Sequence, residues 1–129
     1  MRGFQIAVLW LGGLGFLAFG AAFLLAPLPT FALAGLVLSG PVAATELMAF
    51  YGGMELAIGG LILACGLFPS RRRDGLLLMA VVYAGIGLAR GAGMLTTGAA
   101  TSFLWTALAL ELGLALLALI ALRRSSSSA

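Results

Sequence analysis

Three charged residues lie deep inside apolar runs of this sequence: Glu55, Arg90 and Glu111. A guanidinium keeps its proton in proteins and offers only donors, so Arg90 must meet acceptors or water. A charge at mid-bilayer costs about 2.5–3.5 kcal/mol on insertion scales, so a carboxylate at the same level on a neighbouring helix is its natural partner. One guanidinium between two carboxylates leaves a formal surplus of one negative charge, to be met by a proton, by water or by a cation. Two readings follow. The cluster is internal glue that fixes helix order and register, or it is a binding or proton-exchange site. Tyr51 stands four residues before Glu55 on the same helical face, and Tyr83 seven before Arg90. Each hydroxyl could donate into the cluster, and each ring could equally pack as an amphipathic side chain. Glu46, nine residues before Glu55, is half a turn out of phase in a regular helix. It is expected to point elsewhere or to reach the outer interface.

What is missing narrows the chemistry further. The chain has no His, which argues against haem, most zinc chemistry and histidine acid–base catalysis. Its one cysteine, Cys65, can form neither an internal disulfide nor a CxxC pair, and reads as a small packing residue. Ser39, Ser102 and the threonines have no imidazole to activate them. Neither a metal set nor a phosphate loop is present in the sequence, so no catalytic residue, metal or cofactor is expected.

The elements that must position these residues are membrane spans. Of 129 residues, 63% are hydrophobic and 9% charged, against about 25% charged in ordinary soluble domains. A small domain cannot hide such an excess in a core. Apolar runs at residues 4–26, 45–68, 75–95 and 101–122 are each long enough to cross about 30 Å of hydrocarbon. The first is too long for the 7–15-residue apolar region of a signal peptide and reads as a retained span. The stretch at 28–44 is apolar but broken by Pro29, Gly40 and Pro41, which predicts a short interfacial or re-entrant segment in the first outer loop. Short connections make consecutive spans antiparallel neighbours. The expected fold is an all-α, integral membrane, up-down four-helix bundle in one domain, residues 1–124, with 125–129 as a disordered tail.

Counted from the arginine-rich end at 1.5 Å per residue, Glu55 lies about 20 Å along its span, Arg90 about 22 Å and Glu111 about 16 Å. Three helices thus bring their charges to nearly one level. Gly87 and Gly91 form a G-x-x-x-G seam on the third span, and Gly85, Ala89 and Gly93 a second small row, both suited to close helix packing. Trp105 reads as an interface anchor, whereas Trp10 and the methionines read as packing.

The stretch Glu46-Leu47-Met48-Ala49-Phe50-Tyr51-Gly52-Gly53, with Glu55 and Gly59 after it, resembles the glutamate–alanine–tyrosine–glycine–glycine pattern that opens the second span of a bacterial four-span family. That family is catalogued as domain of unknown function 4345. Gly87-Leu88-Ala89-Arg90 resembles its third-span glycine–arginine signature, and Glu111 corresponds to a glutamate in its last span. The likeness covers residues 4–122. The family commonly has arginine where Met48 stands, which leaves Glu46 without a local partner. The resemblance implies the four-span fold and supplies no activity, substrate or cofactor.

The leading functional expectation is a non-enzymatic accessory, interaction or lipid-associated bundle. Its partners would be membrane lipids, a second copy of the chain or another membrane protein, and no nucleic acid. The alternative is a small proton- or cation-coupled transporter or channel using Glu55 or Glu111. Small multidrug transporters also have four spans, but their essential glutamate lies in the first, which here carries no charge. A four-span membrane enzyme ranks third, because the polar motifs such enzymes carry within their spans are missing.

Six of the seven arginines, at positions 2, 71–73, 123 and 124, fall on one side of a four-span topology. Cytoplasmic termini in a bacterial inner membrane are therefore expected. A single cysteine in the 96–100 loop, on a Cys65→Ser background, should react with an impermeant maleimide from outside the cell. Labelling from the cytoplasmic side alone would reverse the topology.

Overall fold

The computed structural model describes residues 2–126. The described residues are all-helical apart from turns. Helix α1 is Arg2–Leu25, α2 Pro27–Ala32 and α3 Pro41–Leu47. A π-helical segment, Met48–Gly53, joins α3 to α4, Met54–Leu67. A 3₁₀ turn, Pro69–Arg71, leads into α5, Arg72–Thr97, and α6 is Ser102–Ser126. Four helical stretches are long and apolar enough to cross a membrane: Arg2–Leu25, Pro41–Leu67, Pro69–Thr97 and Ser102–Arg124. The protein is an up-down four-helix membrane bundle. Of the tail expected at 125–129, the first two residues continue α6, and 127–129 lie outside the described residues.

The helix boundaries follow from residue type. Pro27 and Pro41 each sit at the first position of a helix, where their missing N–H would have no partner anyway. The intervening chain turns on Gly35 and Gly40, with φ of 81° and 91°. The short α2 thus lies in the loop between the first and second spans, at the start of the stretch where a short segment is expected. Helix α5 ends where Gly98 takes the left-handed conformation and its N–H donates to the Met94 carbonyl at 3.0 Å. At the opposite end Arg72 Nε donates to the Gly66 carbonyl at 3.3 Å, capping α4 from the following helix.

The helices associate in two pairs, α1 with the π segment and α4, and α5 with α6, while α4 and α6 share no extensive contact. The arginine-rich end is a closed base. Leu9, Ile62, Leu76 and Met79 are fully buried there, joined by Ala115, Ala118 and Ala121 of α6. Gln5 Nε2 donates to the Ala121 carbonyl, and the Arg124 guanidinium lies 5.2 Å above the Phe4 ring. These contacts tie the start of α1 to the end of α6. Beyond the base only the first pair keeps a buried interior, at Gly20, Phe23, Leu47 and Gly52, whereas α5 buries nothing beyond Gly87 and α6 nothing before Ala115. From that level outward the two pairs diverge. On the outside of the bundle, Leu11, Leu14, Leu61, Val81, Leu88 and Leu116 are all exposed, an apolar surface suited to lipid.

Glycine contact holds the first pair together. A Cβ added to Gly59 would stand 2.8 Å from the Gly13 carbonyl oxygen and 3.0 Å from the Leu17 amide nitrogen. A Cβ on Gly20 would meet the Gly52 carbonyl oxygen at 2.9 Å. Backbone faces backbone at both levels, the geometry small residues permit in lipid. In the second pair Gly87 faces Leu112, which an added Cβ would meet at 2.8 Å, and packs within the chain. Gly91 has only ordinary contact with Leu108, and a Cβ at Gly85 or Gly93 would meet nothing.

Gly59→Ala should therefore force a backbone shift and destabilise the bundle by about 1–3 kcal/mol. Gly60→Ala, whose Cβ meets nothing within 4 Å, should be neutral or slightly stabilising. Thermal unfolding of both variants in detergent checks this; equal midpoints would show that the α1–α4 contact is not close.

Candidate functional site

Arg90 and Glu111 meet face to face across the α5–α6 pair. Arg90 Nε donates to Glu111 Oε2 at 2.8 Å and Nη2 to Oε1 at 2.6 Å. This is the forked, two-bond geometry that a guanidinium makes with a carboxylate and an ammonium cannot. The side chains are 26% and 13% exposed, so the pair is largely withdrawn from its surroundings. Gly87 helps to make this possible. One turn before Arg90 it lets α6 approach, and a Cβ there would press on Leu112 and on the Glu111 Cβ itself. The G-x-x-R pattern thus sets both the helix spacing and the pair.

Glu55 comes from the other side of the bundle, at the start of α4. Its Oε2 atom is buried and meets no hydrogen-bond donor among the described residues. Arg90, with its fork spent on Glu111, does not supply one. The three charges therefore share one level but divide into a closed pair and a lone carboxyl.

Between them lies a cleft of about 930 Å³, within the range of pockets that hold drug-sized molecules. Phe16 and Phe19 of α1, Leu47, Phe50 and Met54 of the second span, Ile86 of α5 and Phe103, Leu110 and Leu114 of α6 give it apolar walls. Glu46, Tyr51, Glu55, Tyr83, Arg90, Thr106 and Glu111 add polar groups. The cleft occupies the half of the bundle where the helix pairs diverge. Its rim residues Phe50, Tyr51, Met54 and Leu110 are between 42% and 61% exposed, so it opens sideways between the second and fourth spans.

The two tyrosines have different surroundings. The Tyr83 hydroxyl donates to the Gly12 carbonyl of α1 at 2.8 Å, and its ring stacks at 4.5 Å on Phe16. Gly15 leaves room for that hydroxyl, which a Cβ would meet at 3.1 Å. Tyr83 thus joins α5 to α1 at the floor of the cleft. Tyr51 packs 4.9 Å from Phe23 and 5.9 Å from Phe31, so its ring fastens α2 of the outer loop over the end of α1.

Glu46 is exposed at the start of the second span, and it also lines the cleft that holds Glu55. The π segment at 48–53 lies between them, and its wider i→i+5 turn advances less than the ~100° per residue of an α-helix. The accumulated lag brings Glu46 round to the cleft that Glu55 also lines. The adjacent Gly52 and Gly53 are the sequence feature that could have marked this break, since glycine adds no side-chain preference to hold a regular α turn. Among the described residues no group of three or more His, Cys, Asp or Glu could hold a metal ion.

Four apolar helices, two glycine-contact pairs and a charged level inside the spans define a small multi-pass membrane bundle. A family model described as "Domain of unknown function (DUF4345)" matches residues 4–122, and the chain belongs to that family. No curated protein and no solved structure matches it.

If the Arg90–Glu111 fork holds α5 to α6, removing one partner should hurt more than removing both. Arg90→Met and Glu111→Leu should each destabilise the bundle, and the double variant should regain part of the loss. A coupling of about 1–3 kcal/mol is expected from the double-mutant cycle in detergent. Additive effects would show that the two residues do not act as a pair.

Proposed function

We propose that this protein is a non-enzymatic, lipid-associated binding bundle of the bacterial inner membrane, with both termini in the cytoplasm. Its Glu55–Arg90–Glu111 level serves as the polar floor of a site for a lipophilic molecule. The observation that carries this reading is the sideways-opening apolar cleft with charged groups along its depth. A purely structural ion-pair cluster needs no such space, because a bundle stabilised by glue alone would pack shut around it. The chemistry on hand suits recognition rather than reaction. The forked guanidinium is occupied, the Tyr83 hydroxyl is committed to a carbonyl, and no nucleophile–base pair lines the walls. The arginines at one end of the bundle favour the cytoplasmic side for that end and attract anionic lipid heads. Lipids are thus both the surroundings and a source of ligands, and a membrane-protein partner or second copy could receive or deliver the bound molecule.

A second reading has one observation in its favour. Glu55, undonated and in a cleft, is the kind of carboxyl that carries protons or cations in small transporters and channels.

Native mass spectrometry of the full chain released from mild detergent should find a lipophilic molecule retained at one per chain. Ala107→Phe, which fills the cleft from α6, should lose it while keeping the folded mass and helix content. No retained molecule, together with a proton flux in proteoliposomes that Glu55→Gln abolishes, would favour the transporter.

A further inference from the structure

The charges lining the cleft are not balanced. Three carboxylates, Glu46, Glu55 and Glu111, line the cleft with one guanidinium, and that guanidinium turns its Nε–Nη2 edge to Glu111. An anionic head entering the cleft would find the guanidinium charge already offset by Glu111 and would meet two further carboxylates. A neutral apolar molecule would leave Glu55 as it stands, a carboxyl with a buried oxygen and no donor, a costly state in a membrane interior. A cationic head with N–H donors answers both conditions. It neutralises part of the surplus and donates to a carboxyl that has none. The walls agree with this choice. Phe19, Phe50 and Tyr51 line the same cleft, and aromatic faces attract an ammonium while packing well on a hydrocarbon tail. The exposed rim between the second and fourth spans lets a molecule dissolved in the bilayer enter tail and head together.

We infer that the ligand of this cleft is a lipophilic amine, with its ammonium held at Glu55, its tail along the apolar walls and the Arg90–Glu111 pair left closed behind it. The inference rests on the binding-bundle reading above and specifies the class of ligand. Glu55 is the residue that recognises the head. Glu46, nearer the mouth, draws cations toward the cleft and contributes less to the bound state. Glu111 is neutralised by Arg90 and serves as wall.

The test uses the full chain in phosphatidylcholine nanodiscs, with empty discs subtracted to remove simple partition. Three probes of equal tail length, dodecylamine, dodecanol and dodecanoate, are compared by equilibrium binding near neutral pH. Dodecylamine should bind saturably at one per chain and about 10- to 100-fold more tightly than dodecanol, the range expected for a hydrogen bond to a charged partner. Dodecanoate should bind most weakly. Glu55→Gln should reduce the amine's advantage over the alcohol to a few-fold while leaving dodecanol unchanged, which also shows that the variant retains its cleft. Glu46→Gln should cost the amine less than Glu55→Gln. Equal binding of amine and alcohol, with no effect of Glu55→Gln, would overturn the amine assignment and leave the binding-bundle reading intact. Tightest binding by dodecanoate would overturn it in favour of Arg90 as the head group's partner. No saturable binding by any probe would overturn both the assignment and the reading beneath it.

Discussion

An arginine set within a membrane-crossing helix constrains everything around it. It cannot shed its charge, and lipid offers it no acceptor, so the bundle must bring a carboxylate to it in good geometry. Here that carboxylate is Glu111, reached through two short bonds from the neighbouring helix. The arrangement requires α5 and α6 to approach closely, which Gly87 permits, and to keep one register, which the fork enforces. Because the guanidinium is satisfied within its own helix pair, it does not pull the second span across the bundle. The other pair is held by different means, backbone on backbone at Gly13–Gly59 and Gly20–Gly52.

Two separately satisfied pairs explain why the molecule has a closed base and a split outer half. At the base, Leu9, Ile62, Leu76 and Met79 of three helices interlock with Ala115, Ala118 and Ala121 of α6, and Tyr83 adds the last tie, from α5 to the Gly12 carbonyl. Past that level no hydrogen bond or ring contact joins the two pairs among the described residues. The cleft is the consequence, with Glu55 on one wall and the Arg90–Glu111 pair on the other. The π segment then adds to it by bringing the exposed Glu46 to the cleft and setting Tyr51 against Phe23 and Phe31. Irregular turns of this kind collect at functional positions, where they re-aim side chains that a regular helix would send elsewhere.

Much of this was legible in the residues themselves. Composition and run length are strong constraints in lipid, so the four spans, the break at Pro27–Pro41 and the small-residue seam at Gly87 could be read from order alone. The common level of Glu55, Arg90 and Glu111 followed from the fixed rise of a helix. What order does not encode is which carboxylate the arginine chooses, since both stand at suitable depth and the choice depends on which helices pair. Nor did it reveal the cleft, which is a property of divergence between pairs and has no residue of its own. The place of Glu46 at the cleft is not legible either, because the chain does not keep a constant helical angle through Gly52-Gly53. Spacing puts Tyr83 near the charges, but its donation to Gly12 depends on the rotation of α1, which no periodicity in α5 can report.

The central claim is that the charged level is divided: Arg90 belongs to Glu111, and Glu55 stands apart facing the cleft. Solid-state NMR on the protein in lipid bilayers addresses it directly, with ¹⁵N in the arginine side chains and ¹³C in the glutamate carboxyls, each assigned by single substitution. The account predicts a strong guanidinium–carboxyl contact from Arg90 to Glu111, at hydrogen-bond range, and none of comparable strength to Glu55. A spectrum in which Arg90 couples equally to both carboxyls, or to Glu55 in preference, would contradict it.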